Sequence, residues 1–268
     1  NIPPEAAGER LWQLERALSL DPGNAEAALE AADLLLREGR FEEALAISRR
    51  ALAVIESVSD EEPDEVASDL RNAKSDFLGI SYRSLIGLER LEEAHSIIRD
   101  LLEISLDDEE ALLDRAWIEL QLGLTENAMV HVQEFIDTHP ESELVPAATT
   151  ALAQGYLELG QYRDAIETAS ELIESGTEAP GLQMILGEAY YRASEFPDAI
   201  EHLLLALPES PDPLRVHFLL GDAYMRDRHP REAAGHYMAI IERQPLNYEA
   251  HMALGDAYFA MEMMDEAR

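Results

Sequence analysis

Eight histidines supply the side chains best suited to proton transfer or metal ligation near neutral pH, and their spacing is regular. His131, His202 and His236 each follow an alanine by three residues, and His217 and His251 share a second recurring place. Equal places in a repeat give similar sites one unit apart, not ligands converging on one ion, so packing or surface roles are expected and no metal site. Carboxylate pairs such as Glu92 and Glu93 occur throughout, so the background singles out none as a general acid and base. Asp60, Glu61, Glu62, Asp64 and Glu65, within the stretch Ser57 to Asp69, invite comparison with a calcium loop. That stretch lacks the glycine and alternating ligands of an EF-hand, and a solvated acidic linker is expected. Cysteine is absent, which removes thiolate nucleophiles, disulfides and thiolate zinc sites. No G-x-S-x-G, Walker loop, G-x-G-x-x-G or H-E-x-x-H is present, so the chain is expected to be no enzyme and to carry no catalytic residue or cofactor.

The charge balance narrows the partners. Against 20 basic residues stand 55 acidic ones, a formal charge of -35. Nucleic acid held by phosphate contacts and an anionic membrane surface are both disfavoured. With 47% apolar residues the chain is expected to fold, not to be disordered. Lys74 is the one lysine and the other bases are arginine. A dense carboxylate surface with this bias predicts a halophilic source, where molar salt screens the self-repulsion. No apolar run approaches a spanning helix, the best being Leu203 to Leu207, and no signal peptide is visible at Asn1. A cytoplasmic location is expected.

What positions these side chains is a repeat. Ala165, Ala199, Ala233 and Ala267 fall 34 residues apart, and Tyr162-Arg-Asp-Ala165, Phe196-Pro-Asp-Ala199 and Met264-Asp-Glu-Ala267 share a motif around three of them. Phe41-Glu-Glu-Ala44 and Leu91-Glu-Glu-Ala94 repeat the motif earlier. Ahead of it stands a second motif: Leu186-Gly187 then Tyr190, Leu220-Gly221 then Tyr224, Leu254-Gly255 then Tyr258, with Leu78-Gly79 then Tyr82 as a fourth copy. Leu186, Tyr190, Leu203 and Ala206 recur at three- and four-residue spacing and give each helix one apolar face. Small residues at Gly187 and Ala199 let two helices approach, and Gly39, Gly123 and Gly160 suit a left-handed cap after the first helix. One pair cannot bury its face alone, whereas stacked pairs can.

These motifs, closed by Pro140, Pro211 or Pro245, resemble the tetratricopeptide repeat over nearly the whole chain. The resemblance implies an all-α, right-handed superhelical solenoid of stacked antiparallel helix pairs. Aligned on the alanines, the units form one array: a half repeat at 1–24, a repeat at 25–58, an acidic insertion at 59–71, repeats at 72–108, 109–145, 146–179, 180–213 and 214–247, and a truncated repeat at 248–268. The spacing of 50 between Ala44 and Ala94 places the insertion, and three extra residues between Tyr82 and Ala94 predict an irregular turn near Gly87.

On the first helix of each C-terminal unit, positions five, nine and twelve share one face. The resemblance implies that this face looks into a concave groove. It reads Met184, Glu188 and Tyr191, then Phe218, Asp222 and Met225, then Met252, Asp256 and Phe259, with Arg192, Arg215 and Arg226 beside it. Leu113, Trp117 and Gln121, and Thr150, Gln154 and Leu157, line earlier units. Methionine and aromatic groups suit apolar anchors, and the acids favour a basic segment. The clamp that holds a C-terminal carboxylate in some family members needs Lys, Asn and Arg where this chain has acids.

The expected function is therefore a non-catalytic scaffold that binds a protein or peptide segment, basic with apolar anchors, in the concave groove. The alternative is a regulatory or substrate-recruiting segment of a longer enzyme or secretion component. An uncovered last helix bearing Met261, Met263 and Met264 also predicts self-association through the C-terminal end.

Overall fold

A computed structural model describes residues 4–57, 64–176 and 181–266. Asp60, Glu61 and Glu62 of the acidic stretch, Ala267, and the side chains of Met263 and Met264 lie outside the described residues.

Every element among the described residues is an α-helix: α1 (Pro4–Leu20), α2 (Ala25–Arg37), α3 (Phe41–Ser57), α4 (Asp64–Gly87), α5 (Leu91–Ile104), α6 (Glu109–Gln121), α7 (Thr125–Thr138), α8 (Val145–Glu158), α9 (Tyr162–Glu174), α10 (Leu182–Arg192), α11 (Phe196–Ala206), α12 (Pro213–Arg226), α13 (Pro230–Arg243) and α14 (Tyr248–Glu266). None is long and apolar enough to cross a membrane among the described residues.

The chain divides within α7 into two compact units, Asn1–His131 and Val132–Arg268. In the first, each helix from α1 to α6 packs on the next, and α2 also meets α4. Their apolar faces merge into one core holding Leu35, Phe77, Leu85, Ile98 and Leu101, each almost fully buried. In the second, α8 to α14 pack likewise in sequence, with α8 against α10 and α10 against α12. Phe135, Leu186, Leu203, Leu220 and Tyr237 are the largest side chains closed off there. A buried leucine contributes about 1.5–3 kcal/mol relative to exposure, so the interfaces between successive helices hold the fold.

Local signals fix the helix ends. Asn24, Asp108, Asp212 and Asn247 each accept the backbone N–H three residues on, at 2.9–3.1 Å, and so cap α2, α6, α12 and α14. Gly39, Gly123 and Gly160 are left-handed, with φ of 73–74°, as their caps require. The same turn is made at Glu89, Ser194 and Arg228, whose φ values of 57°, 67° and 64° an L-residue adopts with some strain.

That turn corrects two sequence expectations. The Arg90 N–H donates to the Leu85 carbonyl, as the Glu195 N–H does to Tyr190 and the His229 N–H to Tyr224. The turn after α4 is thus as regular as its neighbours, and Leu85, not Tyr82, occupies the place of Tyr190 and Tyr224. Leu78, Gly79 and Tyr82 lie about one helical turn out of register with the other motif copies; they imitate the motif without filling its places. The acidic stretch is also shorter than a linker reading implies, because α4 already starts at Asp64. No glycine or proline stands between Asp64 and Leu78, so nothing stops the helix growing backwards from its buried part.

Candidate binding groove

The C-terminal face is built on α10, α12 and α14, the helices that carry Leu-Gly-x-x-Tyr. Its side chains differ sharply in freedom. Glu188 is buried and bridges two arginines: Arg192 Nη2 donates to its Oε1 at 3.4 Å and Arg215 Nη2 to its Oε2 at 2.6 Å. Asp222 is claimed by two phenols, with Tyr191 donating to Oδ2 at 3.3 Å and Tyr237 to Oδ1 at 2.8 Å. Burial, reinforced by the neighbouring carboxylate, raises the Tyr191 hydroxyl above its ordinary range and the more buried Tyr237 hydroxyl well above it. Arg192 pairs with Glu188 within α10, and the other three contacts tie α10 to α12 and α12 to α13.

Two of the three acids in the stripe are therefore saturated from within, and their charge is already answered by Arg192 and Arg215 or dispersed into hydrogen bonds. The apolar members divide likewise. Met184 and Tyr191 pack on the cluster of Val216 and Leu220, while Met225 and Phe218 pack on that of Tyr237, with Phe218 edge-on to the Tyr237 ring at 5.9 Å. Arg226 is exposed. On α14 the picture is open: Asp256 is exposed, and Met252 and Phe259 keep 52% and 65% of their surface in solvent. Of the other lining residues, Trp117 is exposed, Leu113, Thr150 and Gln154 are half-buried, and Leu157 is buried.

Sequence reasoning missed a second surface, in the first unit. A cleft of about 520 Å³ runs between α2 and α4 to the cap of α6, floored by Leu29 and Ile80 and edged by Glu26, Glu30, Asp33, Asp76 and Asp108, with Arg83 also on its wall and donating to Glu110 at 2.8 Å. Arg10 takes Glu30 in a two-pronged pair at 2.6 Å, and its hydrogen bonds hold the Glu30 carboxyl below the usual range. Arg37 pairs with Asp33 at 2.8 Å. Asp76 has no cation within pairing distance among the described residues, and burial alone raises its carboxyl. The visible signal was Glu26, Glu30 and Asp33 around Leu29, spaced to share one face of α2.

His202 and His236 face inward across their hairpins, whereas His229 and His251 are exposed. His202 stacks on Tyr190 at 5.4 Å and His236 on Tyr224 at 5.5 Å. His131 lies instead against buried Glu119, whose Oε2 is 2.7 Å from its Nδ1; His95 Nε2 reaches Oε1 of the same carboxylate at 3.0 Å. Among the described residues no group of three or more His, Asp or Glu could hold a metal ion.

Comparison with known proteins agrees with this architecture. Two family models, each described as tetratricopeptide repeat, match the chain, one at residues 150–212 and 218–268, the other at 13–73. No curated protein matches. Among solved structures, a tetratricopeptide repeat protein from Parabacteroides merdae is 17% identical with a TM-score of 0.63, covering 92% of this chain and 91% of its own. PilW, a type IV pilus biogenesis factor, is 15% identical with a TM-score of 0.68 over 86% and 98% of the two chains. Pseudomonas aeruginosa pilF is 14% identical with a TM-score of 0.65 over 87% and 97%. Since the matched family segments span more than half the sequence and the helices stack sequentially in pairs, the chain belongs to the tetratricopeptide repeat family.

Proposed function

We propose that the protein is a non-catalytic scaffold that holds a partner segment on the concave face of its C-terminal repeats, with Met252 and Phe259 as apolar contacts and Asp256 as the acid that favours a basic side chain. The observation that carries this reading is the contrast along the stripe. Glu188 and Asp222 are spent on Arg192, Arg215, Tyr191 and Tyr237, which makes α10 and α12 a stiff wall. Asp256 and its two apolar neighbours stand free beside that wall. A rigid backing with exposed anchors lowers the ordering cost of binding. The partner is a peptide or protein segment with a Lys or Arg next to large apolar residues.

Selection from a random peptide library, with affinities of the enriched peptides measured by fluorescence anisotropy, tests it. Enrichment of Lys or Arg beside apolar residues is expected. The pair Met252→Ala and Phe259→Ala should weaken binding about tenfold or more. Asp256→Lys should reverse the charge preference. Absence of enrichment, or variants that bind as the parent does, would refute the reading. Asp76→Asn reports in the same screen on the cleft between α2 and α4.

A further inference from the structure

In two successive hairpins of the second unit the same three places meet, but with different chemistry. In α10–α11, His202 stacks on Tyr190 and its Nδ1 lies 2.7 Å from the Gln183 side-chain oxygen. In α12–α13, 34 residues on, His236 stacks on Tyr224 with 13° between the rings, and the place of Gln183 is taken by His217. The two Nδ1 atoms are 3.0 Å apart. The ring centroids are 5.3 Å apart, which is that separation plus one ring radius at each end, so the nitrogens point head-on at one another. A shared metal ion needs both lone pairs aimed at a point off that line. A hydrogen bond needs this line, with one Nδ1–H donating to the bare Nδ1 of the other ring.

We propose that His217 and His236 form an acid-released latch on the α12–α13 hairpin. In the neutral pair one ring donates through Nδ1–H. The first proton goes to the remote Nε2 of that donor ring and leaves the bond intact. The second has only the accepting Nδ1 left to occupy: it removes the lone pair, turns acceptor into donor, and sets two imidazolium ions face to face. Gln183 poses no such limit, because its carbonyl accepts from His202 whether that ring is neutral or charged.

The charges around the latch do not offset the second proton. Arg243, from α13, bears on His217 and opposes its charging, and the two rings oppose one another. Glu232 of α13 acts on Tyr224, not on either ring, and Asp227 is engaged by His229 at 3.0 Å. From α11 and α14 no charged group bears on the pair among the described residues. Burial, first, and these charges, second, depress both imidazoles below their ordinary value. The folded state therefore binds fewer protons than the unfolded chain as pH falls through about 6.5, and stability rises with pH across that window. The contribution is fully present above it and is lost on acidification. Arg215, Phe218 and Asp222 ride on α12, so the latch governs how firmly that face is held, whether or not the face binds a segment.

Hydrogen exchange of the full chain at about pH 8 and pH 5.5, corrected for intrinsic rates, tests the latch. The opening constant of α13 should rise roughly three- to tenfold more than that of α11. Helix α11 is the internal control, since His202 is also depressed by burial, partly offset by Glu201 and Asp198, but faces Gln183; the His217→Gln variant keeps the surroundings of α13 and so separates the latch from these neighbouring charges. His217→Gln should bring α13 down to the behaviour of α11, and Gln183→His should confer the acid response on α11. Equal pH response in α11 and α13 of the parent, or an unchanged response in His217→Gln, overturns the proposal. Should the variants fold poorly, an NMR titration of the parent's imidazole nitrogens decides. Two separated protonation steps, with the donor's Nε2 charging first, are expected; simultaneous, independent titration of both rings overturns the latch.

Discussion

Leu203 packs directly against the backbone of Gly187: a β-carbon on that glycine would stand 2.6 Å from Leu203 Cγ and 3.0 Å from its backbone nitrogen. In the next hairpin Gly221 meets the ring of Tyr237 in the same way. The close crossing of α10 with α11 and of α12 with α13 depends on these two missing side chains.

Gly187→Ala and Gly221→Ala are therefore expected to destabilise the protein although alanine is the better helix former. The propensity gain is about 1 kcal/mol, while overpacking a fixed side chain costs about 1–3 kcal/mol. Neither neighbour can yield, since Leu203 and Tyr237 are 0% and 1% exposed. Gly255→Ala gives the opposite sign, because no atom lies within 4 Å of its β-carbon position. Urea unfolding of the three variants checks the signs; stabilisation by Gly221→Ala would show that the hairpin can open without penalty.

Arg215→Met leaves buried Glu188 with the longer contact to Arg192, and a loss of about 1–2 kcal/mol is expected. Adding Glu188→Gln removes the uncompensated charge and should recover part of that loss. A double-mutant cycle measures the coupling, and strict additivity of the two losses would mean that the pair contributes nothing.

The tyrosines around Asp222 should rank by burial. Tyr237→Phe removes a 2.8 Å bond from a buried hydroxyl and should cost about 1–1.5 kcal/mol. Tyr191→Phe removes a 3.3 Å bond from a half-buried one and should cost about 0.5 kcal/mol. Thermal melts of both variants test the order.

Most of the architecture was legible in the residues themselves. Alanines 34 apart and the Leu-Gly-x-x-Tyr faces determine where helices cross, because only small residues fit there. The misplacement at Tyr82 has a physical origin: Leu78-Gly79-Tyr82 matches the motif letters, but register is counted back from the left-handed residue, which is Glu89 and not the nearby Gly87, still helical at the end of α4. The stripe Met184 to Phe259 could be named from helical spacing alone. What could not be seen is that Tyr237 of α13 reaches across to Asp222, or that Arg215 closes on Glu188. Those contacts run between helices, and spacing along one helix carries no information about them. The meeting of His217 with His236 was hidden for the same reason, since each was compared with its equivalents in other units and not with the opposite helix of its own.

Salt dependence supplies the last prediction. A formal charge of -35 leaves most carboxylates without a cation to answer them: exposed pairs such as Arg10–Glu30 and Arg40–Glu43 offset acids only locally. Such exposed pairs contribute little and weaken as salt rises, whereas the net repulsion among the unpaired carboxylates weakens as well and acts over many more partners. The second effect should dominate, so the melting temperature is expected to rise from low to molar salt, with helicity falling on dialysis into dilute buffer. Circular dichroism melts in sodium chloride across that range measure it. Potassium chloride should act alike at equal ionic strength, since screening depends on ionic strength and not on the cation. A melting temperature that stays level or declines with salt would show that local pairing outweighs the global charge.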